Sequence, residues 1–359
     1  MTANNLLSNT RVVRAGYANK ARVTEAQFRV ETHQDIDLAS VKTGEVILRN
    51  LYLSLDPYVR FTLDEEGGDT PPERRLLNVP FYGLGVAEVV ASGVGKYPVG
   101  SLVSANTGYE QYTRISGLDD PNTPSDIRVL PTHARDESKG VPLSNYISAL
   151  GMPGLTAFAG LKVLDVEAGK TIFVGSAAGG VGQLVGQLAK LQGLRVIGSA
   201  GTDEKVSYLV EKQNFDGAFN YKTENAREAL TRLAPKGVDY YYDTVGGEIL
   251  DMMLDFINER GKILSVGMVS QENGEEAYPI RNLKLIARKG VSILGFIYWH
   301  HLQYFENGDL DATVRPLLER KEINYREEVF DGIENTPKHF VNMLDGKYAG
   351  KVVIKIADL

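Results

Sequence analysis

The sequence predicts an α/β chain in which a β-rich domain is followed by a doubly wound parallel sheet. Three observations predict it. The first ~140 residues carry short strand patterns with Gly and Pro turns at regular spacing. From near Val141, strand and helix patterns alternate, which implies a parallel sheet with right-handed crossovers and helices on both faces. A glycine-rich turn joins the first strand of that series to its first helix. With 359 residues the chain has room for two domains.

In the first part, Glu45–Leu55 alternates apolar and polar side chains and predicts a strand. Val86–Ala91 and Leu102–Ser104 are shorter candidates, bounded by Gly83, Gly85, Gly93, Gly95, Pro98 and Gly100. Together they predict a barrel or sandwich. Asp64–Glu73 and Asp119–Ser125 are polar, Gly- and Pro-containing loops. In the second part, strands are expected at Thr171–Val174, Arg195–Gly198, Ala218–Tyr221, Val238–Asp243, Ile263–Val266 and Val291–Phe296. Helices are expected from near Gly180 and over Asp203–Gln213, Glu224–Leu233 and Glu248–Ile257. The span suits one six-stranded doubly wound domain. After His300 a helix is expected at Leu310–Lys321, then a strand at Lys351–Ile356 that returns to the β-rich domain. The expected domains are therefore 1–140 with 310–359, and 141–309.

Composition narrows the function. A content of 43% hydrophobic and 24% charged residues is that of a soluble globular protein and excludes a disordered or collagen-like chain. The absence of cysteine excludes disulfides, thiolate nucleophiles, iron–sulfur clusters and cysteine-ligated zinc. The five histidines lack H-E-x-x-H spacing, so no metal is expected. A net charge of −7 argues against nucleic-acid binding. No secretory or membrane-spanning pattern is visible, and a cytoplasmic protein is expected.

The sharpest motif is Thr171-Ile-Phe-Val-Gly-Ser-Ala-Ala-Gly-Gly-Val-Gly182. The spacing Ser176-x-x-Gly179-x-x-Gly182 matches a dinucleotide fingerprint whose first glycine is replaced by serine. Small residues are needed because the turn is tight, the backbone must approach the pyrophosphate and the helix must pack close to its strand. The helix N-terminus then offers N–H groups to the phosphates. The next strand ends Val196-Ile-Gly-Ser-Ala-Gly201 without the carboxylate that would bind an NAD ribose. Lys205 stands one helical turn further on, and a cation there suits a 2′-phosphate, so NADP is preferred over NAD.

The chain resembles the zinc-free branch of the medium-chain dehydrogenase/reductase superfamily, in particular its NADPH-dependent alkenal double-bond reductases and prostaglandin reductases. The resemblance is carried by Leu53-Ser-Leu-Asp-Pro-Tyr-Val-Arg60, Gly151-Met-Pro-Gly-Leu-Thr-Ala157, the Ser176–Gly182 turn, Gly198-Ser-Ala-Gly-Thr-Asp-Glu-Lys-Val206, Phe219-Asn-Tyr-Lys222, Asp243-Thr-Val-Gly-Gly247 and Gly267-Met-Val-Ser270. It implies a GroES-like barrel as catalytic domain, a Rossmann domain, an active site in the cleft between them, and a homodimer joined through the Rossmann sheets. It assigns the pyrophosphate to Ser176, Ala177, Gly179, Gly180, Val181 and Gly182. It assigns the 2′-phosphate side to Lys205 and Tyr221, beside Gly201. Thr244 and Gly267 would border the cofactor, and Phe296 and Ile297 would meet its nicotinamide end. Pro57 and Tyr58 would reach the cleft from the catalytic domain, Pro57 as a cofactor-binding residue and Tyr58 as the catalytic one.

The implied reaction is NADPH-dependent reduction of the C=C bond of an α,β-unsaturated aldehyde or ketone. Hydride reaches the β-carbon, an enolate forms, and a proton reaches the α-carbon. Tyr58 is the best protein donor for the enolate oxygen, alongside the nicotinamide-ribose hydroxyl. Three departures from the family pattern stand at Thr244 (commonly Asn), Glu272 (often Tyr) and Tyr348 (commonly Asn). The acidic loop around Glu272 reads as solvated, and His300-His301 reads as the start of a surface helix. Quinone reduction within the same superfamily, a tailoring reaction on one specialised metabolite, possibly non-redox, and a binding protein that has kept the fold are the rival readings.

Overall fold

In the computed structural model, which describes residues 6–66, 72–120, 127–274 and 276–359, the parallel sheet is built on six short strands. They lie side by side in the order Gly217–Asn220, Arg195–Ala200, Thr171–Val174, Tyr240–Asp243, Lys262–Ser265 and Ser292–Gly295. In sequence rank this is 3-2-1-4-5-6, the Rossmann order, with the switch point between Thr171–Val174 and Tyr240–Asp243. Every pairing is parallel.

The central strands are apolar on both faces because both faces are covered. Tyr241 lies in one cluster with Phe173, Phe219, Leu230, Leu250, Met253 and Leu254, which come from the neighbouring strands and from helices Ala226–Leu233 and Gly247–Phe256. Its ring stacks on Phe173 at 5.1 Å. Tyr242 points the other way and donates a 2.7 Å hydrogen bond to the Thr156 carbonyl on helix Met152–Leu164. That helix is not expected from sequence. It is apolar almost all round and buried along most of its length, so it shows no stripe for periodicity to find.

The β-rich unit is organised by Val46–Ser54. Its sheet runs in the order Glu327–Asp331, Lys351–Lys355, Val46–Ser54, Tyr82–Ser92, Leu102–Gly108, Arg128–Val129. Tyr112–Ile115 also pairs with Val46–Ser54, so the pairing path turns back on that strand. Enclosure replaces the expected alternation: Arg49 and Tyr52 are half-buried and the rest of the strand is buried. A two-stranded hairpin of Leu7–Arg14 and Phe28–Ile36 precedes it. The second of these strands is mostly exposed and polar, which hides it from hydrophobic patterning.

The two compact units are the segment up to Ile147 with Glu328–Leu359, and Ser148–Glu327. Helix Asp309–Glu319 thus lies in the nucleotide-type unit, whereas the sequence reading assigned 310 onward to the other. The correction has a physical cause: Leu310, Val314 and Leu318 form a buried stripe, and the helix packs on Met152–Leu164. Parts of both polar loops, 67–71 and 121–126, lie outside the described residues. No helix among the described residues is long and apolar enough to cross a membrane.

One buried group in the β-rich unit carries a stability prediction. The Glu110 carboxyl accepts hydrogen bonds from Asn9 Nδ2 (3.0 Å) and Thr113 Oγ1 (3.0 Å), and the charge of Arg11 also favours its ionised form, but burial outweighs them. Burial raises its pKa to about 7 from an ordinary 4.5. The proton is therefore held more tightly by the folded state. The stabilisation is fully present below pH 4.5 and is lost as pH rises through about 7. The linkage amounts to about 2 kcal/mol between pH 5.5 and 8. Glu110→Gln should remove that dependence, seen as a flatter profile of unfolding free energy against pH. Parallel profiles would refute it.

Candidate active site

The glycine-rich turn begins where Thr171–Val174 ends. Ser176 has φ +49°, a left-handed backbone that favours glycine. Helix Gly182–Leu191 starts hard against the turn: a Cβ on Gly182 would stand 2.6 Å from the Ser176 carbonyl oxygen and 2.7 Å from Ala177 Cα. Glycine is required there by close approach. Ala177 is buried and tied by its N–H to the Ser199 carbonyl at 2.9 Å. The helix has no side-chain cap at Val181; the Gln183 and Leu184 N–H groups are taken by the Gly179 (3.2 Å) and Val181 (3.0 Å) carbonyls, which among the described residues leaves the N–H groups of Val181 and Gly182 for an anion.

At the end of Arg195–Ala200, helix Asp203–Gln213 is capped by Thr202, which accepts from the Lys205 N–H at 3.3 Å. Lys205 is buried, at 9% exposure. Asp203 is held toward the third strand by Asn220 Nδ2 at 2.7 Å. Tyr221 is 51% exposed. A Cβ on Gly201 would meet Tyr221 Oη at 3.2 Å and Lys222 Cε at 3.3 Å. Tyr221 and Lys222 therefore lie against Gly201, with the Lys222 ammonium 6.0 Å from the Tyr221 ring centre. Lys222 is a cation that the sequence reading did not single out.

Across the switch point, buried Asp243 ends its strand. Its Oδ1 accepts from Tyr241 Oη (2.7 Å), the Val245 N–H (2.9 Å) and the Gly246 N–H (2.8 Å). Burial raises its pKa. Thr244 Oγ1 donates to the Gly175 carbonyl at 3.2 Å, tying this turn to the glycine-rich one. Gly267 follows on the next strand end, with its N–H on the Asp243 carbonyl at 3.3 Å. Glu272 departs from the solvated reading: it is half-buried and its Oε1 accepts from the Met268 N–H at 3.1 Å. A carboxylate folded onto its own loop is a local structural brace.

Phe296 is buried and stacks on His301 at 4.8 Å with an interplanar angle of 5°. His301 in turn stacks on Tyr304 at 6.4 Å. The histidine pair therefore ends a short turn, Tyr298–His301, in which His301 belongs to an aromatic stack. Burial lowers the His301 pKa first, and His300 adds to it. Ile297 is half-buried beside Phe296.

In the β-rich unit, Pro57 opens the short helix Pro57–Leu63. Val59, Arg60, Thr62 and Leu63 face inward, while Tyr58 is 38% exposed. Arg60 pins the turn through Asp64 (2.8 Å) and the Ala21 carbonyl (3.1 Å). Asp56 precedes the helix but does not cap it. Its carboxylate instead pairs with Lys351 Nζ at 3.0 Å, the two side chains being 4% and 5% exposed. Lys351 Nζ also donates to the Leu55 carbonyl, and Ser54 Oγ to Asp56 Oδ2.

Known proteins share this arrangement. Residues 180–313 match the family model described as zinc-binding dehydrogenase, and residues 18–120 match that of an oxidoreductase N-terminal domain. The chain is 39% identical to a 2-alkenal reductase (NADP(+)-dependent) of Nicotiana tabacum, over 88% of each chain. It is 35% identical to the NADPH-dependent curcumin reductase of Escherichia coli, over 97% of each. The chain belongs to the medium-chain dehydrogenase/reductase family. A crystal structure of CurA from Vibrio vulnificus in complex with NADPH superimposes with a TM-score of 0.84 at 29% identity, covering 98% of this chain and all of that one. The quinone oxidoreductase of Escherichia coli, at 18% identity and a TM-score of 0.74, shares the fold.

Within this dehydrogenase/reductase the turn residues Ser176–Gly182 are contiguous, and Gly201 and Tyr221 meet in space. Thr244 meets the first turn through Gly175. Lys222 sits beyond the third strand, and only the return of that strand brings it to Gly201. Asp56 and Lys351 were missed as a pair because 296 positions separate Lys351 from the Leu55 carbonyl it also binds. Among the described residues, no three His, Cys, Asp or Glu side chains gather as a metal site.

Proposed function

We propose that the protein reduces the C=C bond of α,β-unsaturated aldehydes or ketones with NADPH. The observation that carries the reading is the pairing of an uncapped helix start at Gly182 with the Gly201, Tyr221 and Lys222 cluster. One end suits a pyrophosphate and the other a 2′-phosphate. The relatives named as alkenal and curcumin reductases supply the substrate class.

Ser176, Ala177 and Gly179 to Gly182 would hold the pyrophosphate. Lys205, Tyr221 and Lys222 would hold the 2′-phosphate beside Gly201. Thr244 and Gly267 would border the cofactor, and Phe296 and Ile297 would close its nicotinamide end. When bound, NADPH supplies the hydride that the β-carbon receives. Negative charge then develops on the substrate carbonyl oxygen, and Tyr58, placed by Pro57, donates a hydrogen bond to it. The α-carbon takes its proton last. The protein otherwise contributes positioning and exclusion of water. The β-rich unit is read as the catalytic domain, and the enzyme as cytoplasmic.

NADPH oxidation, followed by absorbance against enals, enones and quinones with products identified by mass spectrometry, tests this reading. Saturated aldehydes and ketones are expected. Turnover of quinones alone would overturn the substrate class, and no NADPH binding would overturn the whole.

A homodimer is part of the reading. Strand Ser292–Gly295 ends the parallel sheet, with Ser292, Ile293 and Gly295 exposed and Ile293 at 40%. The opposite edge strand, Gly217–Asn220, is largely buried. An apolar strand edge in water invites pairing with a second copy. Ile293→Asp should halve the mass measured by light scattering. An unchanged mass would refute this interface.

A further inference from the structure

The segment after Ile323 crosses the helix that follows the glycine-rich turn, and two glutamines of that helix hold it. Gln187 Oε1 accepts from the Asn324 N–H at 2.7 Å, and its Nε2 donates to the Asn324 carbonyl at 2.8 Å. One helical turn earlier, Gln183 treats Arg326 in the same way, at 2.9 and 3.0 Å. Each carboxamide offers one donor and one acceptor, as a neighbouring strand would. Both glutamines are buried. The two clamps fix the register of this segment, because a slip of one residue would break all four bonds.

Tyr325 lies between the clamped residues, and its Oη donates to the Gly180 carbonyl at 3.0 Å. That oxygen shares a peptide plane with the Val181 N–H. In a trans peptide the C=O and N–H point in opposite directions. A bond that holds the Gly180 oxygen on the Tyr325 side therefore turns the Val181 N–H away from it. Among the described residues the Val181 N–H has no acceptor within the chain.

We propose that Tyr325 is a positioning residue for the glycine-rich turn, orienting the Val181 N–H toward a bound pyrophosphate. The inference rests on the NADPH reading and adds to it a group 145 positions away in sequence. Its consequence is local. Without the hydroxyl the Gly180–Val181 peptide loses its anchor, and the turn must pay to orient it on binding.

The test is Tyr325→Phe, read as dissociation constants for NADPH and for 2′-AMP, with the thermal midpoint alongside. 2′-AMP carries the 2′-phosphate but no pyrophosphate. The NADPH constant should rise about tenfold, the worth of one good hydrogen bond to a charged group. The 2′-AMP constant should stay within about twofold, an unchanged baseline on the same scale. An unchanged NADPH constant would overturn the proposal. So would an equal weakening of both ligands, which is the mark of general loosening. Wild-type protein that binds neither ligand would overturn the cofactor reading, and the proposal with it.

Discussion

Tyr58→Phe is expected to lower kcat on an enone about a hundredfold, the usual cost of deleting one donor aimed at a developing oxyanion. The dissociation constant for NADPH should not move, because Tyr58 is not among the residues assigned to the pyrophosphate or the 2′-phosphate and Phe keeps its ring. Nor should stability change much. The inward side chains of that turn are Val59, Arg60, Thr62 and Leu63, and Tyr58 is partly exposed. A kcat within twofold of wild type would assign the oxyanion to the nicotinamide-ribose hydroxyl and remove Tyr58 from the mechanism. Steady-state kinetics beside a direct NADPH titration separates these outcomes.

Lys351→Met is expected to destabilise the fold by about 3–5 kcal/mol. The Asp56 carboxylate would be left buried without its cation, 3.0 Å from where the ammonium stood. The Leu55 carbonyl would lose its donor as well. The neutral pair Asp56→Asn with Lys351→Met should recover most of the loss, since no buried charge is then uncompensated. Chemical denaturation of the two singles and the double gives the coupling energy. Additive losses would show that the pair is incidental. The position gives the pair its functional interest: Asp56 immediately precedes Pro57 and Tyr58, and its anchor arrives on strand Lys351–Lys355 from the far end of the chain.

Much of the parallel sheet is legible because each unit of it is local. Thr171–Val174 and Asp203–Gln213 occupy the expected spans, since buried apolar runs and an N-capping threonine act over a few residues. Other elements lack such a signal. Phe28–Ile36 is mostly polar, and Met152–Leu164 is apolar almost all round, so neither shows a face. The candidate site divides in the same way. Ser176, Gly179 and Gly182 are read from spacing alone, because the turn, the strand before it and the helix after it are one contiguous piece of chain.

The sequence by itself determined the doubly wound pattern, the glycine-rich turn, the lack of an acidic residue at the tip of the second strand, and the family. These are properties of short windows and residue types. Tertiary structure alone decided that Glu272 braces its own loop and that Lys222 joins Tyr221 at Gly201. It also decided that helix Asp309–Glu319 belongs with the parallel sheet, that Asp56 pairs with Lys351, and that Tyr325 holds the Gly180 carbonyl. The last two contacts span a large part of the chain. Their partners are chosen by how strands and crossing segments stack, and no local pattern of charge or hydrophobicity encodes which distant side chain will arrive.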